Sequence, residues 1–333
     1  MTNRTLDHIS VVGLGSIGRR HLRLLRKIRP NVESTLVRSG RGRGADEVEL
    51  ADRVVDSIDR AVQKGIQGAI VSSPASMHVD HVTRLLKAGV HVLVEKPLSD
   101  SFVNGATLIA ERDQANVTCL LGYMLRYEKA AVRFKDLLQE GRVGRLLHAR
   151  VECGSYLPDW RPNFPYQQSV SALAELGGGA LLELSHELDY LIWFFGDVVD
   201  IYAQINNSAV FNIQVEDSVD AIITPYGGFP ISLHLDFNRR TPKRICTVYG
   251  ENGEISWNAI EKTIEIKIKN DKCLMESYPA SVDQAYVEQL HHFFNCVEKG
   301  DSPTIGIREG LKVLKVIDAA RISSRDGIRV AIN

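Results

Sequence analysis

The first third of the chain alternates between two hydrophobic patterns. Short, mainly apolar runs at 9–12, 34–37, 68–72, 90–94 and 117–121 are separated by longer stretches. In those stretches, over 17–28, 46–51, 59–64, 76–88 and 101–115, apolar residues recur every three or four positions. The short runs read as strands covered on both faces, and the stretches between them as amphipathic helices. This alternation predicts a doubly wound parallel sheet, an α/β Rossmann domain.

The pattern changes after Gly122. Residues 126–140 form one amphipathic helix, stopped by Gly141. Beyond it the runs lengthen and alternate apolar with polar, at 146–153, 198–205, 218–224, 231–237, 244–249 and 263–268, with turn signals at Gly227-Gly228 and Asn252-Gly253. These predict a C-terminal α+β domain with a large, mostly antiparallel open sheet. One helix, 180–195, interrupts it, and helices at 283–299 and 308–324 close the chain. The expected domains are 1–122, 123–305, and a helix and tail, 306–333, that return to the first domain. Ile222, Leu233, Leu235 and Phe237 are assigned to an uncovered face of the sheet. Such a patch predicts a homodimer or homotetramer built through that sheet.

Composition narrows the partners. The chain has 333 residues, of which 44% are hydrophobic and 24% charged, enough for two domains. Forty basic residues face forty-one acidic ones, a net charge of −1. That balance gives no field for nucleic acid, and no basic tract suits a membrane surface. No apolar run has the length to span a bilayer. The N-terminal residues Met1-Thr2-Asn3-Arg4-Thr5 are polar, unlike a secretory signal. Five scattered cysteines, with no Cys-x-x-Cys, fit free thiols in a reducing cytoplasm.

The strongest chemical signal lies between the first strand and the first helix: Gly13-Leu14-Gly15-Ser16-Ile17-Gly18. Gly13 permits a tight turn, Gly15 lets the backbone approach a pyrophosphate, and Gly18 lets the helix lie close on the strand. The helix start, at Ser16 and Ile17, offers N–H groups to the anion. An NAD site usually has a carboxylate about 20 residues further on, for the ribose hydroxyls. This chain has Arg38 and Ser39 there, followed by Arg41 and Arg43, and no carboxylate before Asp46. Guanidinium groups suit a 2′-phosphate, so NADP is expected in preference to NAD. The alternative is that Arg41 and Arg43 are solvated loop charges.

A second signal ends the fourth apolar run: Glu95-Lys96-Pro97, at the edge where parallel sheets hold ligands. Taken alone it also reads as a surface ion pair. Together with the glycine loop it resembles the Gfo/Idh/MocA oxidoreductases, the family of glucose–fructose oxidoreductase and inositol dehydrogenase. The likeness extends through Ser72-Ser73-Pro74 with His78, Gly122-Tyr123-Met124-Leu125-Arg126-Tyr127, Gly177-Gly178-Gly179-Ala180-Leu181-Leu182-Glu183 and the last helix. The resemblance implies an NAD(P)-dependent dehydrogenase or reductase acting on a secondary alcohol or its ketone. Its substrate would be a sugar, cyclitol or nucleotide sugar bound at the domain junction. Ser73, Pro74, His78, Glu95 and Lys96 would join the glycine loop in holding the cofactor, and Lys96 would contact the reacting hydroxyl.

The resemblance also implies a histidine acid/base on a helix of the second domain. His186 is that candidate, with Glu183 three residues before it on one helical face. The family form is Asp-x-x-x-His. Here Glu183 takes the Asp place and Glu187 the usual His place, leaving open whether Glu183, Glu187 or Asp189 orients His186. Tyr123 and Arg126 border the substrate in the family, or else pack a hinge. Tyr156, Trp160 and Arg161 form a proline-stiffened loop suited to a sugar ring and an anionic group, or to packing on its own domain. His78 and His81 have the spacing of metal ligands but no suitable third partner, and no metal is expected. Two other readings compete. One is a catalytically silent dinucleotide-binding regulator on the same scaffold, and the other a reductase of a non-sugar carbonyl.

Overall fold

The structure is a computed structural model that describes residues 5–40 and 46–332. Its contacts divide into two units. The first comprises residues 1–124 and 282–311, and the second residues 125–281 and 312–333.

In the first unit β1 (His8–Val12) runs into α1 (Ser16–Ile28), followed by β2 (Glu33–Val37), β3 (Arg53–Val55), α2 (Ile58–Gln63), β4 (Gly68–Val71), α3 (His78–Lys87), β5 (His91–Glu95), α4 (Phe102–Ala106), α5 (Leu108–Ala115) and β6 (Cys119–Gly122). Among the described residues they form a six-stranded sheet in the order β3-β2-β1-β4-β5-β6, with every pairing parallel. This is the doubly wound arrangement the alternation predicts. Chain order reverses between β1 and β4, where such sheets bind ligands beyond the strand ends. Val11, Ile70 and Leu93 are fully buried, as a sheet covered on both faces requires.

The second unit begins with α6 (Lys129–Gln139) and β7 (Leu146–Gly154). Then come α7 (Ala180–Glu183), α8 (His186–Phe195), β8 (Val198–Asn206), β9 (Ser218–Pro225), β10 (Ile231–Asp236), β11 (Lys243–Gly250), β12 (Gly253–Asn258), β13 (Thr263–Ile268) and β14 (Leu274–Ser277). Helix α9 (Val282–Glu298) lies in the first unit. Helix α10 (Ile307–Asp326) crosses the division, and β15 (Val330–Ala331) ends the chain. The described sheet has nine strands, antiparallel except where β10 runs parallel to β7.

Two features depart from the sequence reading. The contacts place 282–311 with the first unit and 312–333 with the second. Accordingly, β15 pairs with β8, and Ser323 and Ser324 accept from the backbone N–H groups of Ala203 and Ile205. Second, Leu233, Leu235 and Phe237 do not lie on the uncovered face; each is at most 2% exposed. Cross-strand partners share a face, and Ile222 pairs with Ser232. The neighbouring Leu233 therefore turns to the covered side. The uncovered face carries Tyr202 and Ile222 among Arg150, Gln204, Asp220 and His234, which line a shallow depression. It is a mixed polar surface whose exposed apolar side chains include Tyr202 and Ile222.

Candidate active site

The glycine loop is built as its spacing requires. Gly13 has φ +94°, and a Cβ there would stand 3.0 Å from the Ser72 carbonyl oxygen. A Cβ on Gly18 would come within 2.1 Å of the Gly13 carbonyl oxygen, so α1 can start this close to β1 only without one. Gly15 differs: it is exposed, and a Cβ there would meet nothing within 4 Å. It caps α1 with no side-chain bond, and no acidic residue occupies the first turn. A helix start of this kind, lined by backbone N–H and free of acidic side chains, fits a pyrophosphate. Val37 O accepts from Gly13 N, and Val12 O from Ser72 N and Ser72 Oγ. The ends of β2, β1 and β4 are thereby tied together. Arg38 and Ser39 follow β2, and Arg38 N donates to Val55 O. Arg41 and Arg43 lie outside the described residues.

Lys96 follows β5, next to the end of β4 in the sheet order. Its neighbours in the chain are held by buried histidines. His21 Nε2 lies 2.6 Å from Glu95 Oε1, and both side chains are almost fully buried. His78 places Nδ1 2.8 Å from Pro97 O and Nε2 2.8 Å from Ser73 O. Burial pushes the His78 imidazole below its usual value. Its ring, 1% exposed, is spent on backbone carbonyls instead of facing outward to a ligand. His81 Nδ1 meets Ser73 Oγ at 2.9 Å, and burial lowers that imidazole as well. His21 gave no signal in the sequence: it sits 74 residues from Glu95 within an ordinary helical period.

In the second unit the predicted helix 180–195 is two helices, α7 and α8, broken at Leu184-Ser185. Most of its polar residues are buried. His186 opens α8 at 8% exposure, and Glu187, Asp189 and Tyr190 are each at most 1% exposed. Tyr190 and Phe194 pack on Trp257, and Phe134 of α6 covers the same cluster. Charges buried on a helix must pair internally. Glu187 Oε1 lies 2.7 Å from Arg244 Nε. Asp189 accepts from Arg126 Nε at 3.0 Å and Nη2 at 2.8 Å, a forked pair. Two of the three carboxylates considered for orienting His186 therefore have arginines of their own. Glu183 ends α7, immediately before the break.

Arg126 thus gives its fork to Asp189, and its guanidinium also lies over Trp193. Tyr123 is fully buried. The loop after β7 keeps partly exposed aromatic and basic groups. Trp160 Nε1 donates to Ser155 Oγ at 2.7 Å, and its ring meets Phe237 edge-on. Tyr156 lies under the Arg240 guanidinium, 3.6 Å from the ring centre, and Arg161 is half-buried. Burial pushes the Cys119 and Cys153 thiols up to about 12, which removes them as nucleophiles at neutral pH.

Fold and glycine loop together define an NAD-binding oxidoreductase of the Rossmann class. Residues 8–123 match the family model described as an oxidoreductase family with an NAD-binding Rossmann fold, and residues 131–256 match the GFO/IDH/MocA C-terminal domain. The chain belongs to the Gfo/Idh/MocA family. It is 27% identical over 269 residues to a 1,5-anhydro-D-fructose reductase of Ensifer adhaerens, covering 77% of each chain. It is also 26% identical over 306 residues to an inositol 2-dehydrogenase of Acidiphilium cryptum, covering 88% of this chain and 86% of that one. A levoglucosan dehydrogenase solved with NADH shares the fold, with a TM-score of 0.88 at 16% identity. That match covers 98% of this chain and 99% of the other. No helix among the described residues is long and apolar enough to cross a membrane.

Proposed function

We propose that the protein oxidises a secondary alcohol, or reduces its ketone, on a sugar or cyclitol, with NADP preferred over NAD. The observation that carries this reading is the side-by-side order β1-β4-β5, which brings the glycine loop, Ser73-Pro74 and Lys96 to one edge of one sheet. Gly13, Gly15, Ser16, Ile17 and Gly18 would hold the pyrophosphate. Ser73 and Pro74 would line the nicotinamide side. The place after β2 where NAD enzymes carry an acid holds Arg38 and Ser39; these suit a 2′-phosphate. The bound nicotinamide supplies the hydride acceptor or donor.

Lys96 donates a hydrogen bond to the substrate oxygen and stabilises the charge that develops on it. His186 takes the hydroxyl proton during oxidation and returns it during reduction. Glu183 is the carboxylate assigned to keep His186 in one tautomer, since Arg244 and Arg126 engage the other two. Trp160 offers a ring face to the apolar side of a sugar, and Arg161 and Tyr156 offer polar contacts beside it. The relatives named for anhydrofructose and inositol support a polyhydroxylated substrate. The free thiols support a reducing compartment, the cytoplasm.

The test follows reduced-cofactor absorbance with NADP and NAD over a panel of sugars, cyclitols and nucleotide sugars, for the wild type and Arg38→Glu. Turnover on a panel member is expected, with NADP favoured. Arg38→Glu should lose about 1.5–3 kcal/mol of that preference, the value of a charge-assisted hydrogen bond. An unchanged NADP/NAD ratio in the variant would remove Arg38 from cofactor selection. Turnover of a non-sugar carbonyl alone would remove the sugar assignment.

A further inference from the structure

The parallel ladder between β4 and β5 ends at the pair Val71 and Val94. Beyond that pair the two chains leave the sheet as the Ser72-Ser73-Pro74 loop and the Glu95-Lys96-Pro97 turn, the segments that flank the reacting end of the cofactor in the function proposed above. The His78 ring spans the gap past the end of the ladder. Its Nδ1 meets the Pro97 carbonyl and its Nε2 the Ser73 carbonyl, each at 2.8 Å. On the other side of Lys96, Glu95 is held by His21 from α1, the helix that opens from the glycine loop. The residues before and after Lys96 are therefore each gripped by a buried imidazole, from two different helices.

We infer that His78 is a positioning residue: its ring braces the Lys96 turn against the Ser73 loop and so sets where the Lys96 ammonium stands over the nicotinamide end of the site. This rests on the role proposed for Lys96. Packing alone does not account for the ring. A buried imidazole carries a desolvation cost that a phenyl group of similar size avoids. Both of its nitrogens also lie against acceptors that are backbone carbonyls of the two loops. Burial disfavours the charged ring, and the neutral ring donates its single N–H to one of the two carbonyls, the tautomer deciding which.

Side chains that mimic each nitrogen separate the two contacts. The His78→Asn substitution puts an amide near the position of Nδ1, toward Pro97. The His78→Gln substitution puts an amide near the position of Nε2, toward Ser73. His78→Phe removes the N–H at either position. We expect His78→Phe to lower kcat about 10- to 100-fold, the scale of a displacement near 1 Å at a reacting centre. His78→Asn should restore most of that loss and His78→Gln little of it.

Binding supplies a readout independent of turnover. Affinity for NADPH should fall in His78→Phe, because the Ser73 loop assigned to the nicotinamide side loses its contact with the ring, whereas affinity for 2′-phospho-ADP-ribose, which lacks the nicotinamide end, should not. Equal loss of both ligands, or equal kcat for the His78→Asn and His78→Gln variants, would mean that His78 serves general packing, and would overturn the inference. Lys96→Met measured alongside separates the two levels. If it turns over like the wild type, the proposed role of Lys96 fails. If it is inactive while His78→Phe stays fully active, this inference alone fails.

Discussion

At the scale of single residues, the glycine loop offers two neighbouring positions with opposite physics. A methyl on Gly18 would meet backbone, the Gly13 carbonyl oxygen at 2.1 Å, so Gly18→Ala must shift α1 off the strand at a cost of about 1–3 kcal/mol. A methyl on Gly15 meets nothing within 4 Å, and its φ of −70° suits alanine. It would, however, stand on the floor where we propose the pyrophosphate lies. Gly15→Ala should therefore leave the melting temperature in place and weaken dinucleotide affinity about tenfold or more, roughly 1.4 kcal/mol, read by cofactor fluorescence titration. Unchanged affinity in that variant would take the pyrophosphate away from this loop. These glycines were legible in the sequence because their spacing is local. The partners of Glu95 and Pro97 were not: His21 and His78 reach them only through the crossover of parallel strands, and no local period records that meeting.

At the scale of elements, α8 shows why an amphipathic reading misled. Leu181, Leu184, Leu188 and Leu191 recur as a helical stripe, which predicts one continuous helix. The chain instead breaks at Leu184-Ser185, and the polar residues after the break are buried, with Asp189 and Glu187 neutralised by Arg126 and Arg244 from distant elements. Paired arginines far along the chain give no sequence signal. The Arg126–Asp189 fork is buried on both sides, so removing one partner strands the other. Asp189→Ala should lower unfolding stability by roughly 3–5 kcal/mol, seen as a shifted denaturant midpoint. A midpoint within error of wild type would mean the pair is solvated in the folded protein. Strands β12 and β14 escaped the sequence reading, and so did the short strands β3 and β15. At three and two residues, they are too short to show a period.

At the scale of the whole molecule, both sheets were legible as classes, because covered strands are continuously apolar and half-covered ones alternate. What failed was phase. Ile222 and Leu233 look like one patch until the register pairs Ile222 with Ser232 and sends Leu233 to the other side. Self-association through the uncovered face remains our proposal, now on altered grounds. That face carries Tyr202 and Ile222, each 41% exposed, amid both signs of charge, including Arg150, Glu152, Asp220 and Arg239. Light scattering should give a multiple of the 37.0 kDa chain mass. The mass should fall toward the monomer in high salt, which screens such contacts. A monomer at low salt would contradict the assignment.

The proposed catalysis turns on Lys96 acting on the substrate oxygen. The direct measurement is steady-state turnover of Lys96→Met, paired with its affinity for the reduced dinucleotide. Turnover should fall by roughly 10²- to 10⁴-fold while cofactor affinity changes by less than about threefold. A variant that binds cofactor and turns over substrate at close to the wild-type rate would contradict it.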